Sequence, residues 1–569
     1  MIYASSSSGR IFYISKFENF SILGYNIYRI KERPQQQYTF VVYYKHALFR
    51  WVLPFKLKGE YIMNFAEAME NKSNWKLTEN GALARTTTGD NLIDLFAVIG
   101  AMREREESDI ISMWENAYRE NAELAVRMIF YAGDIRGIGL GERRTFRILI
   151  KHLANTHPSI MRKNIVNIPY YNRWDSLYEL VATPCEREMW DLVRMQWLED
   201  YGNMMHNKPI SLMAKWLASV NASSKKTCML GRKTARELYL SESMYRRALS
   251  KLRAYLKVVE KSMSAQEWAT IEYSTVPSYA MKNYSQAFAR HDRDRFSSYK
   301  ESLEQKIADG TISQKDIKSA TLYPYDLVRK YLDVDISVFW SRSSYMRPYD
   351  TITEAQWKAL PDYLDEEANV VVMADVSGSM YSPNFQPISA SLGLALYFAE
   401  RNKGIYHNKY MTFTDKPYFL TINENASLRD QIVQAWSAGV GYSTNLERAF
   451  MYILDTAIEN NVKPEEMPKA LVVVSDMEIN PFFRGYKLDF LEEMARRFRN
   501  AGYSMPKVLF WNVEGRNSTF HAKSTNPNVV FASGYSASAF TSIIKGITKT
   551  AYEVMHDTLM DAQYDRVVL

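Results

Sequence analysis

Residues 370–380 read VVVMADVSGSM, an apolar run that stops at Asp375 and is followed by Ser377 and Ser379 with Gly378 between them. An apolar run without polar alternation predicts a strand covered on both faces, and its closing aspartate then lies at the strand's carboxyl end. The same grammar recurs outward from this point. YMTFTD (410–415), PYFLTI (417–422), LVVVSD (471–476), VLFWNV (508–513) and VVFASG (529–534) are short apolar or β-branched runs. Helical patterns fit 388–402, 427–437, 445–460 and 487–501, and closing helices follow from Ser536. Apolar strands alternating with helices predict an α/β, doubly wound, Rossmann-like parallel sheet over residues 365–569. Ligands of such sheets sit at the carboxyl ends of the strands, so Asp375 and Asp476 share one rim.

Several chemistries could use that rim. A nucleophilic serine needs a positioned base, yet His407, His521 and His556 are not beside an acid at a strand end. The stretch 534–540, GYSASAF, has Ser538 where a nucleophile elbow needs its second glycine. An aspartyl phosphotransfer site would want a second acid two residues after Asp375, where Ser377 stands. A plainer reading has Asp375 capping a loop while the serines bond local backbone. A metal site uses the residues more fully: Asp375, Ser377, Ser379, a hydroxyl from the loop 439-GVGYSTN-445 and Asp476 make an all-oxygen set suited to Mg²⁺.

DVSGSM, Thr444 in a glycine-flanked loop and the strand-ending SDME resemble the metal-ion-dependent adhesion site of von Willebrand factor A domains. The resemblance implies that Ser377, Ser379 and Thr444 contact the cation directly and that Asp375 and Asp476 hold it largely through water. It leaves one coordination position for a carboxylate of an acidic protein ligand. The implied activity is binding, not catalysis; a hydrolase is the minor alternative. Asp415 is a further rim candidate.

Before residue 365 the pattern is helical. In 91-NLIDLFAVIGAMRE-104, Leu92, Leu95, Phe96, Ile99 and Met102 recur at three- and four-residue spacings. Similar stripes run through 111–133, 142–157, 211–220 and 241–263, with Ser241 placed to cap the last. Residues 63–364 are therefore expected to be an all-α, repeat-like (HEAT-like) domain, although no fixed period emerges. The glycines of 133-GDIRGIGLGERR-144 lack a preceding strand and a GK[ST] ending, and predict a tight interhelical turn. Trp174 and Trp216 lie on apolar stripes and read as core anchors. Residues 1–62 alternate aromatic and basic residues, predicting short strands in an N-terminal extension, or an artefact if Met63 is the true start.

The phrases 78-TENGALARTTTGDNLIDLFAVI-99, 134-DIRGIGLGERRTFRILI-150, 171-YNRWDSLYEL-180 and 322-LYPYDLV-328, with the C-terminal half, resemble an uncharacterised family of large viruses, phages and plants. Its members join a helical region to a von Willebrand A-like domain. A more distant resemblance is to the Ro ribonucleoprotein (TROVE) architecture, which implies binding of structured or single-stranded RNA.

The charge distribution bears on that implication. The 569-residue chain carries a net +7, but residues 365–569 hold 19 Lys/Arg against 23 Asp/Glu, leaving +11 for the remainder. Between Lys215 and Lys261 twelve basic residues face three acids. Lys225, Lys226, Arg232, Lys233, Arg246, Arg247, Lys251, Arg253 and Lys257 form the candidate phosphate-neutralising face, with Tyr245 and Tyr255 as candidate stacking surfaces. The bland alternative is a solvated helix face, and a purely protein-binding role remains the competing function. Two cysteines, Cys185 and Cys228, argue against a disulfide framework or a structural zinc site. With no apolar run of membrane-spanning length and no secretory leader, a soluble, cytoplasmic protein is expected.

Overall fold

The computed structural model describes residues 74–332, 346–364, 369–414, 416–439, 444–480 and 490–569, together with the backbone of four strands before residue 53. Asp415, residues 440–443 of the loop before Thr444, and the first residues of the helix expected over 487–501 lie outside the described residues. The chain divides into two compact units, Met1–Ser73 and Asn74–Leu569. In the first, β1 (Asn19–Ile22), β2 (Tyr25–Lys31), β3 (Tyr38–Tyr44) and β4 (Ala47–Val52) pair antiparallel in sequence order.

The second unit opens with a hairpin of β5 (Trp75–Leu77) and β6 (Leu83–Arg85). Its main sheet contains β7 (Val370–Ala374), β8 (Lys409–Thr412), β9 (Phe419–Thr421), β10 (Ala470–Ser475), β11 (Lys507–Asn512) and β12 (Val529–Ser533). The spatial order is β12-β11-β10-β7-β8-β9. Every residue of β7, β10 and β12 is buried, as expected of strands with helices on both faces. The helices between them span Gln386–Arg401, Leu428–Gly439, Leu446–Glu459 and Phe490–Asn500, close to the stretches read from periodicity. One expectation is corrected. β9 runs antiparallel to β8, so the sheet is mixed. Only six residues separate the two strands, too few for the crossover a parallel neighbour requires.

The order of strands, not their direction, switches at the centre of this sheet. β7 continues to β8 on one side, whereas β10 pairs with β7 on the other, with Val474 opposite Ala374. The carboxyl ends of β7 and β10 therefore flank the point where the strand order switches, the usual ligand crevice of such sheets.

The described residues between 91 and 358 are predominantly helical, including Glu107–Glu120, Ala122–Gly133, Arg143–Thr156, Glu186–Met205 and Lys225–Glu237. Ser241 caps Glu242–Tyr255, accepting a hydrogen bond from the Met244 amide as its sequence position predicts. Helix lengths are uneven, in keeping with the missing repeat period. The helical and α/β parts share one hydrophobic core that runs from Leu92 to Val567. At Gly393 of helix Gln386–Arg401, an added Cβ would lie 2.9 Å from the Tyr325 amide nitrogen, so only glycine permits this approach to helix Pro324–Leu332. The glycine-rich turn after Gly133 is structural: Asp134 accepts the Arg136 amide at 2.8 Å and the Tyr564 hydroxyl at 3.1 Å. No helix among the described residues is long and apolar enough to cross a membrane.

Candidate metal centre

Strand register places the first two candidates side by side. The Asp375 amide donates to Val474 O at 3.1 Å, continuing the ladder one residue past β7. Its carboxylate then turns back into the protein, where Oδ1 accepts the Ser377 amide at 2.9 Å and Oδ2 accepts the Ser475 hydroxyl at 2.5 Å. Gly378 has open space where a Cβ would be, and the short turn Gly378–Tyr381 brings the Ser377 and Ser379 hydroxyls to 3.2 Å. Asp476 directly follows β10; its Oδ1 accepts the Glu478 amide at 3.1 Å, and the Ser379 hydroxyl also bonds its carboxylate.

Thr444 is bonded to the loop that follows Asp476. Its hydroxyl donates to Asn480 Oδ1 at 3.1 Å, and its carbonyl accepts the Asn480 amide at 3.1 Å. The structure thus gathers Asp375, Ser377, Ser379 and Asp476 in one hydrogen-bonded group. It fastens Thr444 to the 476–480 loop that carries the second aspartate.

The electrostatics are unbalanced in a specific sense. Asp375 is fully buried, and burial together with the nearby Asp476 charge raises its pKa well above the ordinary carboxylate range. Asp476 is raised by its own burial, against hydrogen bonds and the Arg516 charge that lower it. Arg516 Nη2 lies 2.9 Å from Asp476 Oδ2 and is the countercharge paired with it. Two buried carboxylates beside two serine hydroxyls form a hard-oxygen set that fits a divalent cation, which would neutralise them. No cluster of three or more His, Cys, Asp or Glu is placed to hold a metal among the described residues, so this set depends on its hydroxyls.

Four neighbours escaped sequence reasoning: Ser475, Glu478, Asn480 and Arg516. Glu478 and Asn480 follow Asp476 at alternate positions of SDMEIN, so that spacing alone could have found them, whereas Ser475 closes β10. Arg516 had no local signal. Glu478 anchors the β5–β6 hairpin: its carboxylate accepts the Glu79 amide at 2.5 Å and the Thr519 hydroxyl at 3.0 Å. The Thr78 hydroxyl donates to Ile479 O at 2.8 Å.

His521 meets the Met477 carbonyl at 2.9 Å and His407 the Asn402 carbonyl at 2.7 Å, while His556 lies 3.7 Å from Asp557. Among the described residues no histidine is hydrogen bonded to a serine or cysteine side chain.

The basic face is thinner than the sequence suggested. Lys225, Lys226, Arg246, Arg247, Lys251 and Lys257 are exposed. Arg232 pairs with Glu242 at 3.5 Å, and Lys233 pairs with Glu186. Arg253 is spent internally, donating to Ala214 O, Leu217 O and Ser219 Oγ at 2.8–2.9 Å. Tyr245 is fully buried against Trp197 and donates to Ala218 O, which removes it as a stacking surface. The Tyr255 hydroxyl is bonded to Lys208 O. Trp174 is buried, and Trp216 lies under the Arg173 guanidinium, 3.8 Å from its ring centre.

Comparison with known proteins follows the same division. Residues 78–173 and 194–370 match a family described as Domain of unknown function (DUF2828), and residues 369–564 match Domain of unknown function (DUF7788). The two matches meet at the start of β7. The chain is 28% identical over 497 residues to "Uncharacterized protein L728" of Acanthamoeba polyphaga mimivirus, covering 82% of this chain and 84% of that protein. No solved structure matches.

Proposed function

We propose that the protein is a non-enzymatic binding scaffold whose α/β part, a von Willebrand A-like domain, holds Mg²⁺ or a similar divalent cation and presents it to an acidic partner. The observation that carries this reading is the juxtaposition of buried Asp375 and Asp476 at the strand-order switch, with the Ser377 and Ser379 hydroxyls between them. Ser377, Ser379 and Thr444 supply neutral oxygens, and the aspartates supply the charge that retains the ion. The cation would act as an electrostatic receptor for a partner carboxylate. Calorimetric titration with Mg²⁺ and Mn²⁺ tests the reading: wild type binds, and Asp375→Ala loses binding while staying folded. Equal affinity in the two proteins sinks it.

A second role, RNA binding by the helical region, rests on the exposed cluster of Lys225, Lys226, Arg246, Arg247, Lys251 and Lys257. These side chains are free to neutralise phosphates, and such binding falls steeply with salt. Filter binding with structured and single-stranded RNA at two salt concentrations is the test. Affinity that does not change with salt removes the role.

A further inference from the structure

A cleft far from the rim in sequence carries a different charge problem. Helix Arg143–Thr156 begins with two arginines, has no acidic residue in its first turn, and receives no side-chain cap from Glu142. Glu142 instead binds the Arg103 guanidinium. Positive side chains at the positive end of a helix are unfavourable, since anions are what that end favours. One face of this helix lines a cavity of about 580 Å³, where Arg143, Arg144, Arg147 and Lys151 oppose Glu107 and Glu179.

The cations there are under-compensated. Asp175 is shared by three guanidiniums: Arg147 at 2.9 Å, Arg143 at 3.7 Å, and Arg173. Partial burial, followed by the like charges of Arg147 and Arg173, lowers the pKa of Arg143. Lys151 is exposed and has no ion pair among the described residues. Arg144 is held in place by hydrogen bonds to the Arg103 and Arg105 carbonyls. Fixed guanidinium forks beside an uncapped helix start suit tetrahedral oxyanions, which accept several parallel N–H bonds.

We propose that this cleft, formed by Arg143, Arg144, Arg147 and Lys151, is a binding site for a phosphate-bearing ligand, either free pyrophosphate or the phosphorylated end of a nucleic acid. Its volume is ample for a nucleotide-sized group. The site stands apart from the cation reading and from the exposed lysines and arginines of 225–257.

The test is calorimetry on the full chain at constant ionic strength with EDTA present, so that the rim contributes nothing. The probes are pyrophosphate, a 5′-phosphorylated RNA oligonucleotide and the same oligonucleotide with a 5′-hydroxyl. Saturable binding of pyrophosphate, or tighter binding of the phosphorylated oligonucleotide than of its hydroxyl counterpart, is expected; which probe wins identifies the source of the phosphate. The double variant Arg143→Gln/Lys151→Gln should weaken that binding at least tenfold with an unchanged melting temperature. Glu179→Gln, which removes an opposing charge, should strengthen it. No binding of either phosphate probe, unchanged affinity in the double variant, or weaker binding by Glu179→Gln overturns the proposal.

Discussion

Arg516 Nη2 stands 2.9 Å from Asp476 Oδ2, placing a guanidinium against one of the two aspartates that would retain a cation. The arginine is forty residues downstream of its partner and comes from the turn after β11. It offsets a buried carboxylate, and it also repels any cation at the same rim. Arg516→Gln is therefore expected to raise Mg²⁺ affinity. At an intermediate dielectric the gain is about 1 kcal/mol, roughly fivefold in Kd by calorimetry.

Glu514, two residues earlier, predicts a pH dependence. Burial, with Glu104 and Asp476 nearby, raises its pKa to about 7 despite Arg516. A carboxyl raised on folding stabilises the fold below its unfolded pKa, and this contribution is lost as pH rises through about 7. Glu514→Gln should melt higher than wild type at about pH 8 and converge with it near about pH 4. The gap is on the order of 3 kcal/mol at most, because solvent relaxation discounts it. Parallel melting curves across that range would contradict this assignment.

In the Arg103–Glu142 pair the glutamate is buried and the arginine half-buried, with Arg103 stacked 3.8 Å over the Tyr535 ring. Removing one partner strands the other charge. Arg103→Ala should cost about 3–5 kcal/mol in urea unfolding, and Arg103→Met/Glu142→Gln together should recover much of it.

Arg253 and its exposed neighbours should separate cleanly. Arg253→Ala loses three internal hydrogen bonds and is expected to cost about 2–4 kcal/mol of stability. Neutralising Arg246, Arg247 and Lys251 together should leave the melting temperature nearly unchanged while weakening RNA capture and flattening its salt dependence. A stable Arg253→Ala protein would show that those bonds contribute little.

The β5–β6 hairpin offers a local probe of the rim. Thr78→Val removes the hydroxyl bonded to Ile479 O and should cost about 1 kcal/mol. Faster amide exchange over residues 476–480 would accompany that loss. Unchanged exchange there would show that the hairpin does not brace this loop.

Much of the α/β part was legible in the sequence because burial on both faces erases polar alternation locally. VVVMAD and LVVVSD announced their strands and strand-end aspartates, and β7 and β10 stand where those runs are. The orientation of β9 was missed, since an apolar triplet carries no mark of direction. The basic face was only half legible. Arg253 and Arg246 have the same residue type on one helix, yet the first is drawn inward by two carbonyls and a serine hydroxyl thirty-four to thirty-nine residues earlier in the chain.

The sequence by itself determined the alternation of strands and helices, the rim positions of Asp375 and Asp476, and the change of character near residue 365. Those features depend on periodicity and hydrophobicity over a few neighbouring residues. Only the tertiary structure decided that Arg516 faces Asp476, that Glu478 fastens the 75–85 hairpin, and that Asp175 is shared by three arginines. Such pairings arise when elements distant in sequence pack together, and Coulomb energy depends on separation in space, not along the chain.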